Sequence, residues 1–150
     1  MVPALDELIT RVPAHWDGGR GLLSVVDVHD LARLVVTVAT AEQPLPGVQH
    51  ASHPEPVSNA DLMAALTALD VLPEVTESWS WEKCVRQLHA TPGRMSERQF
   101  SLLARDHWYR SEEIWRVTEC PAGPGPVHRL PAAAEWYTSH LGAQRSRTPR

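Results

Sequence analysis

Three titratable side chains, Asp27, His29 and Asp30, stand almost side by side where an apolar run, Leu22–Val28, gives way to a helical pattern. Two carboxylates beside an imidazole can tune a general acid or base to work near neutral pH, because each charge state biases the other. The same residues have a structural reading, in which they cap a helix, Asp30 offsets its dipole and His29 stays in solvent. His50 adds a second imidazole, with His53 three positions on. On a strand these two fall on opposite faces, so a shared metal would need a turn, and no third ligand stands at metal-site spacing. Trp79 and Trp81, in a polar Ser-Trp-Ser-Trp context, are suited to walling a pocket, since aromatics bury large areas and keep a polar handle. They equally suit core filling. Asp27, His29 and His50 are therefore the candidate proton-transfer residues, and Trp79, Trp81 and Asp30 the candidate substrate-binding ones. No metal or cofactor ligand is assigned.

The elements that must position these residues follow from periodicity. Pro3–Val12 predicts a short helix with Leu5, Leu8, Ile9 and Val12 on one face, and with Asp6 and Glu7 near its favourable end. The β-rich run 22–28 predicts a buried strand. His29–Ala41 predicts a helix whose Leu31, Leu34, Val35, Val38 and Ala39 form the apolar stripe. Val48–Ser52 reads as a short strand stopped by Pro54 and Pro56. Ser58, with Asp61 three on, predicts a capped helix through Leu62, Ala65, Leu66 and Leu69. A strand over 73–78 and helices opened by Ser80 and by Ser96 follow, the last reaching Arg110. Ile114–Cys120 reads as extended. Pro131 suits the first turn of a final helix that Gly142 can end, leaving a basic tail over 143–150. This order predicts an α/β or α+β fold, a small helix-rich domain with a few short strands, over residues 1–142.

The bulk numbers narrow the class. The 150 residues are one domain's length and can build a core without staples. A net charge of −4 disfavours a nucleic-acid partner, which needs a basic face. No apolar run approaches the ~20 residues of a membrane helix, and the first residues lack a signal-peptide pattern. Cys84 and Cys120 are too few for a disulfide framework, which reads as reduced thiols in a cytoplasmic protein. Arg105, Arg110, Arg116, Arg145, Arg147 and Arg150 could face an acidic partner or simply solvate a surface.

The stretch Ser24-Val25-Val26-Asp27-Val28-His29-Asp30-Leu31-Ala32-Arg33 resembles the strand-then-helix signature of extended and atypical short-chain dehydrogenases, in the half of that fold beyond the catalytic Tyr and Lys. The segment His50 to Leu62, a polar turn into a Ser-opened helix, also looks like that superfamily. With Glu74–Glu82 and its Trp-containing helix start, the order from residue 4 to about 142 is most similar to the thioester reductase domains of nonribosomal-peptide and polyketide assembly lines and of carboxylic acid reductases. The resemblance implies a substrate-binding subdomain that shapes an acyl pocket and meets a carrier protein.

The family's cofactor-binding half has no counterpart here. The cluster Gly18-Gly19-Arg20-Gly21 lacks the G-x-G-x-x-G spacing and precedes a strand rather than following one. The family's Tyr and Lys lie four residues apart on a helix. Here Tyr109 is followed four on by Glu113, Tyr137 by Leu141, and Lys83, the single lysine, is preceded four back by Trp79. The expectation is a module facing a thioester or carrier protein, with no cofactor and no nicotinamide redox chemistry of its own. Its partners would be an acyl or peptidyl carrier protein or a small molecule, with a homodimer or a Rossmann-type subunit covering its apolar face. The alternative is a cofactor-free cyclase, isomerase or dehydratase that works by positioning and acid–base help.

Overall fold

A computed structural model describes residues 1–45 and 47–147, with side chains to residue 140. Among the described residues the chain forms seven α-helices and four two-residue strands: α1 (Val2–Arg11), β1 (His15–Trp16), β2 (Leu22–Leu23), α2 (Val28–Ala39), β3 (Val57–Ser58), α3 (Asn59–Thr67), β4 (Ser78–Trp79), α4 (Trp81–Ala90), α5 (Glu97–Ala104), α6 (Glu112–Val117) and α7 (Pro126–Arg147). It is a small helix-rich domain with a few short strands, as expected of an α/β or α+β fold. β1 pairs in parallel with β4, setting Trp16 opposite Trp79. β2 pairs antiparallel with β3, setting Leu23 opposite Val57.

Caps decide most helix starts. Asp27 caps α2, Ser58 caps α3, Ser80 caps α4, and Ser96 with Gln99 makes a reciprocal capping box on α5. The main core gathers Leu5, Leu8 and Ile9 of α1, Leu62, Met63 and Leu66 of α3, Cys84 and Leu88 of α4, and Phe100 of α5. Trp16 lies fully buried among them, edge-on to Phe100 at 5.0 Å, with its indole N–H donated to the Val12 carbonyl at 2.9 Å. A second, smaller core joins Leu34 of α2 to Ile114 and Trp115 of α6 and to Cys120.

Several elements depart from the sequence reading for identifiable reasons. Glu7 does not serve the α1 dipole. Its carboxylate accepts the Arg94 and Met95 backbone N–H groups at 2.6 and 2.8 Å, fastening the loop before α5. The run after Leu23 is held in extended form without a ladder, because its partners diverge. The Val25 carbonyl accepts from His53 N–H at 2.8 Å, while Ser24 N–H donates to the His107 carbonyl at 3.1 Å. The latter contact also ends α5 early: Asp106 Oδ1 accepts the Leu22 N–H and the His107 N–H donates to the Leu22 carbonyl, so 105–107 leave the helix to meet the strand. The 48–52 segment forms no strand, and Val48 is 90% exposed.

Residues 112–117 are helical rather than extended. Glu112 and Glu113 sit in the first turn, Glu113 pairs with Arg116, and burial of the adjacent Ile114 and Trp115 overrides their β propensity. α7 opens at Pro126, placing Pro131 inside the helix, and its backbone continues past Gly142 to Arg147. The side chains of 141–150, Arg145, Arg147 and Arg150 included, lie outside the described residues.

Candidate functional site

A groove of about 360 Å³ opens between the extended segment Val25–Asp27, the first turn of α2 and the face of α7. Val25, Val26, Val28, Leu130 and Ala133 give it apolar walls, and His29 and Tyr137 bring hydrogen-bonding groups to it. Its position follows from the sequence. The apolar run must stay extended to reach the Asp27 cap, and the cap turns the chain into α2 with the first helical residues facing α7.

The charged cluster at this junction is resolved into two roles. The Asp27 carboxylate accepts the His29 backbone N–H at 2.9 Å and the Asp30 N–H at 3.4 Å, the hydrogen bonds of an N-cap. The same oxygen lies 3.2 Å from His29 Nδ1, and the His29 side chain is 81% exposed. Asp30 turns the other way. It is 1% exposed, and its carboxylate accepts from Arg129 at Nε (3.1 Å) and Nη2 (2.7 Å) and from Arg33 Nη2 at 2.9 Å. Burial by itself pushes the Asp30 carboxyl up, but the hydrogen bond and charge of Arg129, joined by Arg33, outweigh it and hold the group below the usual carboxylate range. Asp30 is therefore an ionised anchor that ties α2 to α7, and not a base poised near neutral pH. Arg129 Nε also lies 3.4 Å from Asp27 Oδ1, so one guanidinium serves both carboxylates. The loop 121–125 closes over the anchor. The Arg33 guanidinium donates to the Pro121 carbonyl, and a Cβ on Gly123 (φ +80°) would come within 2.5 Å of the Asp30 carboxylate. Only glycine permits that approach.

Of the residues singled out from sequence, the structure brings Asp27 and His29 together at the groove, with Asp30 directly behind it. The other three lie elsewhere. His50 stacks on Tyr109 with ring centroids 4.5 Å apart. His53 does not share a site with it, its Nδ1 lying 3.2 Å from the Glu55 backbone. Trp79 and Trp81 flank the start of α4, where Trp81 stacks on Phe100 and carries the Arg105 guanidinium over its ring. Trp79 donates to Glu77 and holds the Lys83 ammonium over its ring at 3.8 Å. Both tryptophans are half-buried against the main core.

Arg129, Leu130 and Tyr137 were missed by the sequence reading. Their only signal was spacing on a helix that the reading started too late. The Cys84 thiol is fully buried, and burial pushes it up, so it stays protonated and packed. Among the described residues no three His, Cys, Asp or Glu side chains converge as metal ligands, and no helix is long and apolar enough to cross a membrane. Neither the family models, nor the characterised proteins, nor the solved structures compared with this chain give a match.

Proposed function

We propose that this chain is a binding module that receives an acyl thioester carried on an acyl or peptidyl carrier protein, in polyketide or nonribosomal-peptide metabolism, and that it is not an oxidoreductase on its own. The observation that carries this reading is the groove. Valine, leucine, alanine, proline and methionine side chains line it over most of its extent, its charged wall residues Arg129 and Asp27 pair with each other and Arg129 with Asp30, and His29 and Tyr137 add the few polar groups that a carbonyl requires. An acyl chain fits such a lining because the walls gain by being covered and the ion pairs behind them are already satisfied. Among the arginines considered for an acidic carrier, Arg116 is paired with Glu113 and Arg105 lies over Trp81, while Arg110 is exposed. The reading assigns the protein to the cytoplasm, with which the buried, unpaired thiols of Cys84 and Cys120 are compatible.

The test is a titration of the folded chain with an octanoyl-loaded acyl carrier protein, beside the same carrier bearing a free thiol. Saturable binding of the loaded form, and weaker binding of the unloaded one, supports the reading. No binding at high micromolar carrier overturns it.

A second reading rests on the 3.2 Å contact between His29 Nδ1 and Asp27, which leaves Nε2 of an exposed imidazole directed away from its carboxylate partner. An Asp-oriented histidine at the lip of an apolar groove is suited to cofactor-free proton transfer in a cyclisation or isomerisation. Turnover of an acyl substrate that survives His29→Ala removes this reading.

A further inference from the structure

A cavity of about 610 Å³ lies between the turn 17–21 and the chain that leaves the end of α5, and it shares no lining residue with the groove. Its walls are fixed through the backbone. Asp106 Oδ1 accepts the Leu22 N–H at 2.9 Å, and the His107 N–H donates to the Leu22 carbonyl at 2.8 Å. Asn59, fully buried, braces both sides from behind. Its backbone N–H donates to the Gly21 carbonyl at 2.8 Å and its Nδ2 to the Leu103 carbonyl at 2.7 Å. Gly21 packs so closely on the end of α5 that a Cβ there would fall 2.4 Å from the Ala104 carbonyl oxygen. A ligand entering such a site has little left to order, which favours binding.

Charged side chains of both signs stand on these walls. Asp17 and Arg20 come from the turn and Arg105 and Asp106 from the other side, while Ser101 and His107 add further hydrogen-bonding groups. Elsewhere guanidiniums close tightly on carboxylates, as Arg129 does on Asp30 and Arg116 on Glu113. Here, among the described residues, the one ion pair is Arg20 Nη2 to Asp17 Oδ1, at 3.9 Å and with the Arg20 side chain 82% exposed. A pair so long and so wet contributes little. Arg105 is held over the Trp81 ring at 5.3 Å, which steadies its guanidinium without neutralising it. Asp106 gives one oxygen to an uncharged N–H. α5 ends at the cavity with no basic residue in its last turn, and so brings the negative end of its dipole. Asp17 is held at φ +50°, a left-handed backbone that few residues other than glycine adopt and that gathers at ligand clamps.

We propose that this cavity binds a small polar zwitterion, a free α-amino acid or a dipeptide. Its carboxylate lies between Arg20 and Arg105, and its ammonium turns to Asp17, Asp106 and the end of α5. Charge selects the class. A phosphate-like dianion would gain from the guanidiniums but be repelled by the two carboxylates, and a polyamine would meet the reverse. A molecule that carries one charge of each sign satisfies both pairs at once. Guanidiniums suit the carboxylate end, because their fork can meet both oxygens. The polar walls favour a polar side chain over an apolar one. The volume is in the ordinary range of small-molecule sites and leaves room for a second residue.

The experiment is a titration of the whole chain followed by backbone-amide NMR, with L-glutamine and L-alanyl-L-glutamine as the two zwitterions. N-acetyl-L-glutamine, which lacks the ammonium, the α-amide of L-glutamine, which lacks the carboxylate, and inorganic phosphate are the comparisons. Saturable shifts centred on the amides of Gly21, Ser101, Ala104 and His107, with a midpoint of about 1 mM or below, are expected for at least one zwitterion. The tighter of the two tells a free amino acid from a dipeptide. Each singly charged analogue is expected to bind at least about fivefold more weakly. Arg105→Gln and Asp106→Asn, the latter keeping an acceptor for the Leu22 N–H, are each expected to weaken the zwitterion at least about fivefold with an unchanged circular dichroism spectrum. The proposal is overturned if neither zwitterion gives saturable shifts up to about 20 mM, if an analogue binds as well as its parent, or if phosphate binds more tightly than both zwitterions. The carrier titration reads the groove, so either result can fail without the other.

Discussion

Arg129, in the first turns of α7, grips the buried carboxylate of Asp30, in the first turn of α2, through both Nε and Nη2 at 3.1 and 2.7 Å. Removing the cation strands a buried anion with Arg33 as its remaining partner. Breaking a buried ion pair on one side typically costs about 3–5 kcal/mol. Arg129→Met is therefore expected to lower the melting temperature by roughly 6–20 °C for a domain of this size. Thermal denaturation followed by circular dichroism checks it. A shift of a degree or two would show that Arg33 suffices alone.

The same pair gives the protein an acid-sensitive joint. Asp30 titrates below its ordinary value of 3.8 in the folded state, since Arg129 and Arg33 outweigh the cost of burial. A carboxyl depressed on folding stabilises the protein at pH values above its unfolded pKa, and that stabilisation is lost as the pH falls through the folded pKa. Urea denaturation at neutral pH should find Asp30→Asn markedly less stable than the parent. The gap should narrow on acidification below about pH 4. A gap that stays constant down to pH 3 would contradict the ionised anchor.

Arg11 offers an independent probe of the other core. Its guanidinium donates to the carbonyls of Leu88, Thr91 and Met95 at 2.6, 2.9 and 2.7 Å, joining the end of α1 to the end of α4 and the loop beyond it. It is 7% exposed, and a Cβ on Gly93 would strike its side chain at 2.5 Å. Arg11→Leu keeps the apolar stem but leaves these carbonyls without their charged donor, at a cost of about 3 kcal/mol or more. Arg11→Lys should recover little of it, because an ammonium cannot reach three divergent acceptors as the planar fork does. Chemical denaturation of the three proteins orders them, and equal midpoints for the parent and Arg11→Lys would overturn the geometric argument.

What could be read from the sequence was local. Ser58, Ser80 and Ser96 announced their helices, because capping depends on residues within one turn. The contact between Asp27 and His29 was legible for the same reason, the two standing two positions apart in the chain. The structural reading of the acidic pair, capping by Asp27, is what the hydrogen bonds show. The partner of Asp30 was not legible, since Arg129 is 99 residues away. The early end of α5 was hidden too, since it is set by the hydrogen bonds that the Asp106 carboxylate and the His107 N–H make with the distant Leu22 backbone. The stripe of α2 was assigned from periodicity with Val35 and Ala39 turned inward. On this helix, apolar nearly all round, periodicity cannot choose a side, and only the position of Trp115 and Ile114 against Leu34 decides it.

The groove makes the sharpest functional prediction, because its walls can be altered without touching the ion pairs behind it. Ala133 is half-buried on α7 and lines the groove directly. Ala133→Trp fills the space that an acyl chain would occupy and leaves Asp27, Asp30 and Arg129 in place. A substitution on a partly exposed wall typically changes stability by about 0.5 kcal/mol or less, so the variant should melt within roughly 2 °C of the parent. Its affinity for an octanoyl-loaded carrier protein should fall by at least about tenfold, the equivalent of ~1.4 kcal/mol. His29→Ala, at the rim, should weaken the same binding much less if the acyl chain supplies most of the contact, and should abolish turnover if the histidine moves a proton. Measuring affinity and turnover for both variants therefore separates a groove that only holds its ligand from one that also acts on it.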